Sequence, residues 1–273
     1  MDCYFINLAA QTDRRAAIES NFDSKKIDGW RLSRFDAVNV EQLDSLNVPG
    51  RARSAEKACY LSHKALLKEA AGRDDPIMIM EDDAVIGART CRAIEVGLDN
   101  IDPAGWDILF TDVCVPNVGA WADLIRLRRQ FMKSGELRFL DLSQIQFAGT
   151  TSYIVNPRSA SRIYELIENI AAIEMGYDLY LQAMTHAGAI RASVFVPFVT
   201  SISSLSEHSS IQSAESQALR SVLDLFRRMI WLDRDLAAHS ESVAAMAAAY
   251  DNVESRMFGV LFEAMISETL QWN

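Results

Sequence analysis

Apolar side chains follow two rhythms along this chain. Short unbroken runs suit strands covered on both faces, and longer stretches with a period near 3.6 suit helices. The runs are residues 3–8 (CYFINL), 31–40 (RLSRFDAVNV), 77–80 (IMIM), 106–111 (WDILFT), 149–155 (GTTSYIV) and 192–199 (ASVFVPFV). Residues 15–22, 54–71, 88–99 and 121–133 carry the helical period, and a further helix starts at Asn156-Pro157. Asn156 suits an N-cap and Pro157 the first helical position; Ala160, Ile163, Tyr164 and Ile167 are the stripe that helix would bury. Thr12 or Asp13 caps the first helix, Ser54 opens the second, and residues 41–53 read as a polar loop turning at Pro49-Gly50. Strands alternating with helices predict an α/β fold with a mostly parallel central sheet flanked by helices.

Beyond residue 213 the pattern is helical only. Leu219, Val222, Leu223, Phe226, Met229 and Ile230 make one amphipathic stripe, and Met246, Tyr250, Val253, Met257, Val260 and Ala264 alternate four and three apart, as heptad positions do. The chain is therefore read as a domain over residues 1–213 with a C-terminal all-helical extension over 214–273. That extension is expected either to pack on the domain or to join two copies in a homodimer.

The run Ile77-Met78-Ile79-Met80 ends in Glu81-Asp82-Asp83. Ligands of open α/β sheets bind at the ends of such strands. Three adjacent carboxylates there repel one another unless solvated or met by a counter-charge, and their oxygens suit Mg²⁺ or Mn²⁺. A solvated acidic turn is the plain alternative. The opening strand leads into Asn7, Arg14 and Arg15, which can hydrogen-bond a base or fork onto a diphosphate, or else decorate a helix surface. His63, alone on its helix, reads as a packed residue before it reads as a catalyst.

Composition narrows the partners. A net charge of −10 argues against a nucleic-acid surface, so an anionic substrate must be held by a metal or a few arginines. No run approaches a transmembrane length and the first residues lack a basic leader, so a cytoplasmic location is expected. Residues 121–138 stand apart, with five Lys or Arg against two Asp or Glu. They form a basic amphipathic helix that is either a solvated face or a peripheral contact with the anionic inner face of a membrane. Cys3, Cys59, Cys91 and Cys114 include no C-x-x-C pair and read as buried free thiols rather than as a zinc or disulfide framework.

Five pieces, in order, resemble glycosyltransferase family 25, the bacterial lipooligosaccharide galactosyltransferase family that includes the collagen galactosyltransferases. They are Ile6-Asn7-Leu8 with Asp13-Arg14-Arg15, Ala58 through His63 (ACYLSH), Met80-Glu81-Asp82-Asp83, Trp106-Asp107-Ile108-Leu109, and Thr151-Ser152-Tyr153-Ile154-Val155 before an Arg-Ser-Ala-Ser helix. The resemblance covers about residues 2–212. It implies a GT-A-like, Rossmann-like fold, a UDP-sugar donor with a galactose-type hexose, and a glycan or lipid-linked glycan acceptor. It also implies a divalent ion, Mn²⁺ or Mg²⁺, on the acidic run, with Asp83 and Glu81 as ligands and Asp82 beside the donor. Asp178 falls at the family's later aspartate and is the expected general base of an inverting transfer, with Asp112 in reserve. Asn7, Arg14, Arg15 and His63 are the expected donor contacts. The chain departs from the family at Ala55 and Ala58, where glycines are usual, and at Ser210, where a carboxylate is usual. His208 is the stand-in for that missing metal ligand.

Two other functions fit parts of the pattern. A catalytically silent nucleotide-sugar-binding or scaffold protein would account for Ser210. A nucleotidyltransferase would need a Gly- and Lys-rich phosphate loop where this chain has Ala9-Ala10-Gln11-Thr12.

Overall fold

The computed structural model describes residues 1–203, 217–235, 237, 240, 244 and 252–266. A seven-stranded sheet has the order β2-β1-β3-β7-β5-β8-β6. Its strands are β1 (Asp2–Asn7), β2 (Arg31–Asp36), β3 (Ile77–Glu81), β5 (Ile108–Phe110), β6 (Arg138–Asp141), β7 (Ser152–Val155) and β8 (Ala192–Val196). Five of them run one way, while β7 and β6 run against their neighbours. The sheet is thus mixed but mostly parallel, as the alternation of elements predicts. A separate two-stranded sheet pairs β4 (Ala84–Ile86) with β9 (Thr200–Ile202).

The central strands read as unbroken apolar runs because both their faces are covered. In β3, Ile77 and Ile79 join one core, and Met78 and Met80 join the other; all four are essentially without solvent contact. Burial of side chains of this kind contributes about 1.5–3 kcal/mol each. On the first face lie α3 (Ser54–Ala70), α5 (Val118–Ser134), α6 (Pro157–Glu168), α7 (Tyr177–His186) and α8 (Gln217–Ile230). On the second lie α1 (Thr12–Asp23) and α4 (Thr90–Asn100). The short α2 (Val40–Leu46) lies beside α3, and α9 (Val253–Ile266) runs along α5.

Helix α6 starts as expected, with the Asn156 side chain accepting the Arg158 N–H and Pro157 at its first position. At α3 the expected cap shifts by one residue: Ser54 is already helical, and the Glu56 carboxylate accepts the Arg53 N–H (2.8 Å). The apolar run over 192–199 stays a strand only as far as Val196, since Pro197 has no amide hydrogen to continue the β8 ladder. Helix α8 packs into the first face of the sheet. Phe226 and Ile230 of α8 are buried in the first core, and Phe226 stacks on Trp121 (centroids 4.4 Å apart, planes 13°). The boundary expected at residue 213 falls outside the described residues.

Helix α5 is amphipathic, as expected. Ala122, Leu124, Ile125 and Arg128 form its buried side, Arg128 Nε donating to Trp231 O (3.2 Å), whereas Met132 is exposed. Of the expected heptad stripe, Val253, Met257 and Val260 are exposed and Ala264 is half-buried, while Met246 and Tyr250 lie outside the described residues. Among the described residues no helix is long and apolar enough to cross a membrane.

Candidate functional site

Because β1, β2, β3 and β5 run in parallel, their C-terminal ends gather Asn7, Glu81 and Asp112 along one edge of the sheet. The antiparallel β7 brings its preceding residues, Thr150 and Thr151, to the same edge. A cavity of about 660 Å³ opens there, lined among others by Arg14, Glu81, Asp82, Asp83, Asp178 and Arg227. Pockets of roughly 300–1,000 Å³ hold small ligands of cofactor size.

The acidic run splits three ways. Glu81 Oε1 accepts the Thr150 hydroxyl (2.8 Å) and lies 3.7 Å from His63 Nε2. Burial works against its charge, but His63, Thr150 and Arg227 outweigh that and hold the carboxyl below its ordinary range. Asp82 meets Arg14 (2.7 Å) and the Asn7 amide (2.8 Å); burial and the Glu81 charge still raise its pKa. Asp83 is pushed up to about 7 by burial and then by Glu81, against Arg14 at 3.0 Å. Its Oδ1 is buried and has no hydrogen-bond partner. Asp83 is fixed there because β4 follows at once and pairs with β9, with the Ser203 N–H donating to Asp83 O (2.9 Å).

A buried, partnerless carboxylate oxygen beside two further carboxylates is a donor set that fits a divalent cation. Part of the counter-charge that the sequence required is already supplied by Arg14, whose own Nε is buried without a partner.

Arg15 lies elsewhere, half-exposed and paired with Glu19 (2.9 Å) on the α1 surface, the alternative that its spacing left open. Asn7 sits beneath the cavity. Its amide donates to Asp82 and Gln11 O, and its oxygen accepts Arg34 Nε (3.0 Å), so it holds Asp82 in place. His63 is fully buried, stacked on Tyr177 (4.6 Å, 7°), with Nδ1 3.0 Å from the Tyr153 hydroxyl. Asp178 lies in the first turn of α7 and lines the cavity, its oxygens accepting the Gly149 N–H (2.8 Å) and its own helix's Leu179 N–H (2.9 Å). Gly149 can present that amide because its φ of +87° is open to glycine. His208, the stand-in metal ligand, and Ser210 lie outside the described residues.

Asp112 is sealed from the cavity rather than poised in it. Its carboxylate is without exposure, accepts the Thr200 hydroxyl (3.2 Å), and is held by Nε (2.9 Å) and Nη2 of Arg227. Nη2 also donates to Thr151 Oγ1 (2.8 Å), and Nη1 lies 3.6 Å from Asp224. Against the pull of burial, Asp112 and Asp224 keep the Arg227 guanidinium more firmly protonated than usual. Arg227, Asp224 and Leu223 of α8 were not singled out as site residues from sequence, and neither were Cys59 and Thr150. Their signal was an amphipathic stripe and a helical C-x₃-H spacing.

Residues 1–181 match the family described as glycosyltransferase family 25 (LPS biosynthesis protein). Among curated proteins, the chain is 34% identical over 97 residues to the lacto-N-neotetraose biosynthesis glycosyltransferase LgtE of Neisseria gonorrhoeae, a match covering 32% of this chain and 34% of that protein. LgtB of Neisseria meningitidis serogroup A matches with the same identity and coverage. The matched segment therefore spans about a third of these relatives. Two solved structures are similar to this chain at a low level. The glycosyltransferase GlyE of Streptococcus pneumoniae TIGR4 has 8% identity and a TM-score of 0.38, over 71% of this chain and 44% of that one. The galactosyltransferase LgtC, in complex with donor and acceptor sugar analogs, has 10% identity and a TM-score of 0.34, over 71% and 73%. With a family match over residues 1–181 of its 273, the chain belongs to glycosyltransferase family 25.

Proposed function

We propose that the chain moves a hexose, galactose in our reading, from a UDP-sugar to a hydroxyl of a glycan or lipid-linked glycan, with inversion and with the help of Mn²⁺ or Mg²⁺. The observation that carries this is Asp83 Oδ1, buried and partnerless beside Glu81 and Asp82 at the rim of a cavity of nucleotide-sugar size. Asp83, with Glu81 or Asp82 beside it, would hold the ion. When bound, such an ion neutralises charge on a departing diphosphate. Arg14 supplies a guanidinium that can turn from the carboxylates to the diphosphate, and its free Nε is one donor ready for an oxygen. Asp178 takes the acceptor hydroxyl's proton: its two amide contacts leave the carboxylate oriented on the cavity wall. The matched relatives' names, which speak of oligosaccharide biosynthesis, support a glycan acceptor. The test is hydrolysis of a panel of nucleotide sugars with and without Mn²⁺. Cation-dependent hydrolysis of one UDP-sugar supports the reading, and hydrolysis of none refutes it.

The silent reading keeps one observation in its favour: Arg14 already pairs with Asp82 and Asp83, so the acidic run is partly neutralised without an ion. UDP binding with no hydrolysis of any donor would establish it. Two further parts of the proposal concern assembly and place. The basic surface of α5 would rest on the anionic inner face of a membrane, and the exposed Met257, Phe258 and Leu261 of α9 would meet a second copy. Phe258→Glu should then shift sedimentation from dimer to monomer; unchanged sedimentation would refute the second.

A further inference from the structure

Cys59, His63 and Glu81 stand together on the cavity wall. One ligand atom from each, the Cys59 sulfur, a His63 ring nitrogen and a Glu81 oxygen, lies within 4.8 Å of the other two. Cys59 and His63 are four residues apart on α3, so both project from one helix face. Glu81 reaches the same point from the end of β3.

The imidazole is set up as a ligand would be. Its plane is fixed by stacking on Tyr177, and the Tyr153 hydroxyl at 3.0 Å can take the Nδ1 proton. The Thr150 hydroxyl donates to Glu81 Oε1 (2.8 Å), so its proton is not offered to His63 Nε2, 3.5 Å away. Nε2 is the ring nitrogen that faces Glu81 Oε1 (3.7 Å) and Cys59, where an entering cation would meet it. An outer partner that fixes the tautomer in this way accompanies most metal-bound histidines.

We propose that Cys59, His63 and Glu81 form a second cation site, which takes a borderline-soft transition ion of the Zn²⁺ class; Glu81 then belongs to this site, and Asp82 is the carboxylate that partners Asp83 at the donor-associated ion. Thiolate and imidazole select such ions over Mg²⁺ and Mn²⁺, which prefer oxygen. Three protein ligands leave a fourth tetrahedral position open to the cavity, which also provides the path of entry. The side chains need only draw in by roughly 1 Å to reach bond lengths of about 2.0–2.3 Å. Binding releases the Cys59 thiol proton to solvent; nothing is oxidised or reduced. The spacing of cysteines alone does not reveal such a site, because its partners are one histidine and one strand-end carboxylate.

Co²⁺ reports the site without nucleotide or activity. Titrated into the full, reduced, metal-free chain, it should give a thiolate-to-cobalt charge-transfer absorption with the amplitude of one thiolate-bound ion per chain, which Zn²⁺ then abolishes. Cys59→Ser should lose that absorption while melting normally without metal. Tyr153→Phe should keep the absorption but weaken Co²⁺ binding by about 10–100-fold, as expected for loss of an outer partner. Asp83→Asn should retain it, which separates this site from the donor-associated ion. Absence of the absorption in the wild type, its persistence in Cys59→Ser, or its loss in Asp83→Asn would each overturn the proposal. UDP is absent from all these arms, so their outcome is independent of the donor reading.

Discussion

Replacing Arg227 by methionine keeps an apolar stem of similar length and removes the guanidinium beyond it. Asp112, without exposure, then loses both nitrogens that hold it, Thr151 loses a donor at 2.8 Å, and Asp224 loses a cation at 3.6 Å. Removing one partner of a buried ion pair costs about 3–5 kcal/mol, because the other charge stays buried. In a chain of this size about 2–4 °C of melting temperature follows each kcal/mol, so Arg227→Met should melt about 6–20 °C lower. Calorimetry of wild type, Arg227→Met, Asp112→Asn and the double variant supplies the cycle. The double should be less destabilised than the two singles added together, with a coupling of roughly 0.5–3 kcal/mol. A single variant that melts within about 1 °C of wild type, or strict additivity, would show that α8 is not anchored on the site through this pair.

Other consequences are smaller and separable. Arg14→Ala should weaken UDP binding by about 1.5–3 kcal/mol, the range for charge-assisted hydrogen bonds, while Arg15→Ala should leave it unchanged; equal losses would refute the division between the two arginines. Asp178→Asn keeps the shape but cannot take a proton, so kcat should fall by about 10²–10⁴ with UDP affinity kept; a fall in affinity instead would make Asp178 a donor contact. Asp83 has its folded pKa raised to about 7, so its proton stabilises the metal-free chain at low pH and that gain is lost as pH rises through about 7. Asp82 is shifted the same way, and Glu81 the opposite way, its contribution being lost only as pH falls below the usual carboxylate range. The metal-free chain should therefore denature more readily near pH 8 than near pH 5, and Asp83→Asn should flatten that slope; an unchanged slope would refute the assignment.

The parts of the fold that could be read in the sequence are those whose signal is local. Ile77 to Met80 announce a strand because a core covers each face of β3 and leaves no polar position to interrupt the run. Asn156-Pro157 announce a helix because cap and first turn are chemistry of adjacent residues. Strands β4 and β9, three residues each, are too short to show a period and exist only as each other's partners. β6 lies in a polar stretch and pairs only with β8, at the edge of the sheet. Asp82 and Asp83 were legible as an acidic strand end, but which cation faces them was not, since Arg14 reaches them from across a loop. Arg227 was least legible. Its helix was expected from Leu219 to Ile230, but a basic residue on that stripe's polar side reads as solvent-facing until the docking of α8 buries it against Asp112.

The central claim is that the acidic end of β3 holds a divalent ion needed for the nucleotide, and calorimetric titration of UDP tests it most directly. UDP should bind the wild-type chain with Mn²⁺ and much more weakly in EDTA, and Asp83→Ala should remove the Mn²⁺-dependent gain without altering the melting profile beyond its own single-site effect. UDP affinity that is the same with Mn²⁺, in EDTA and in Asp83→Ala would contradict it.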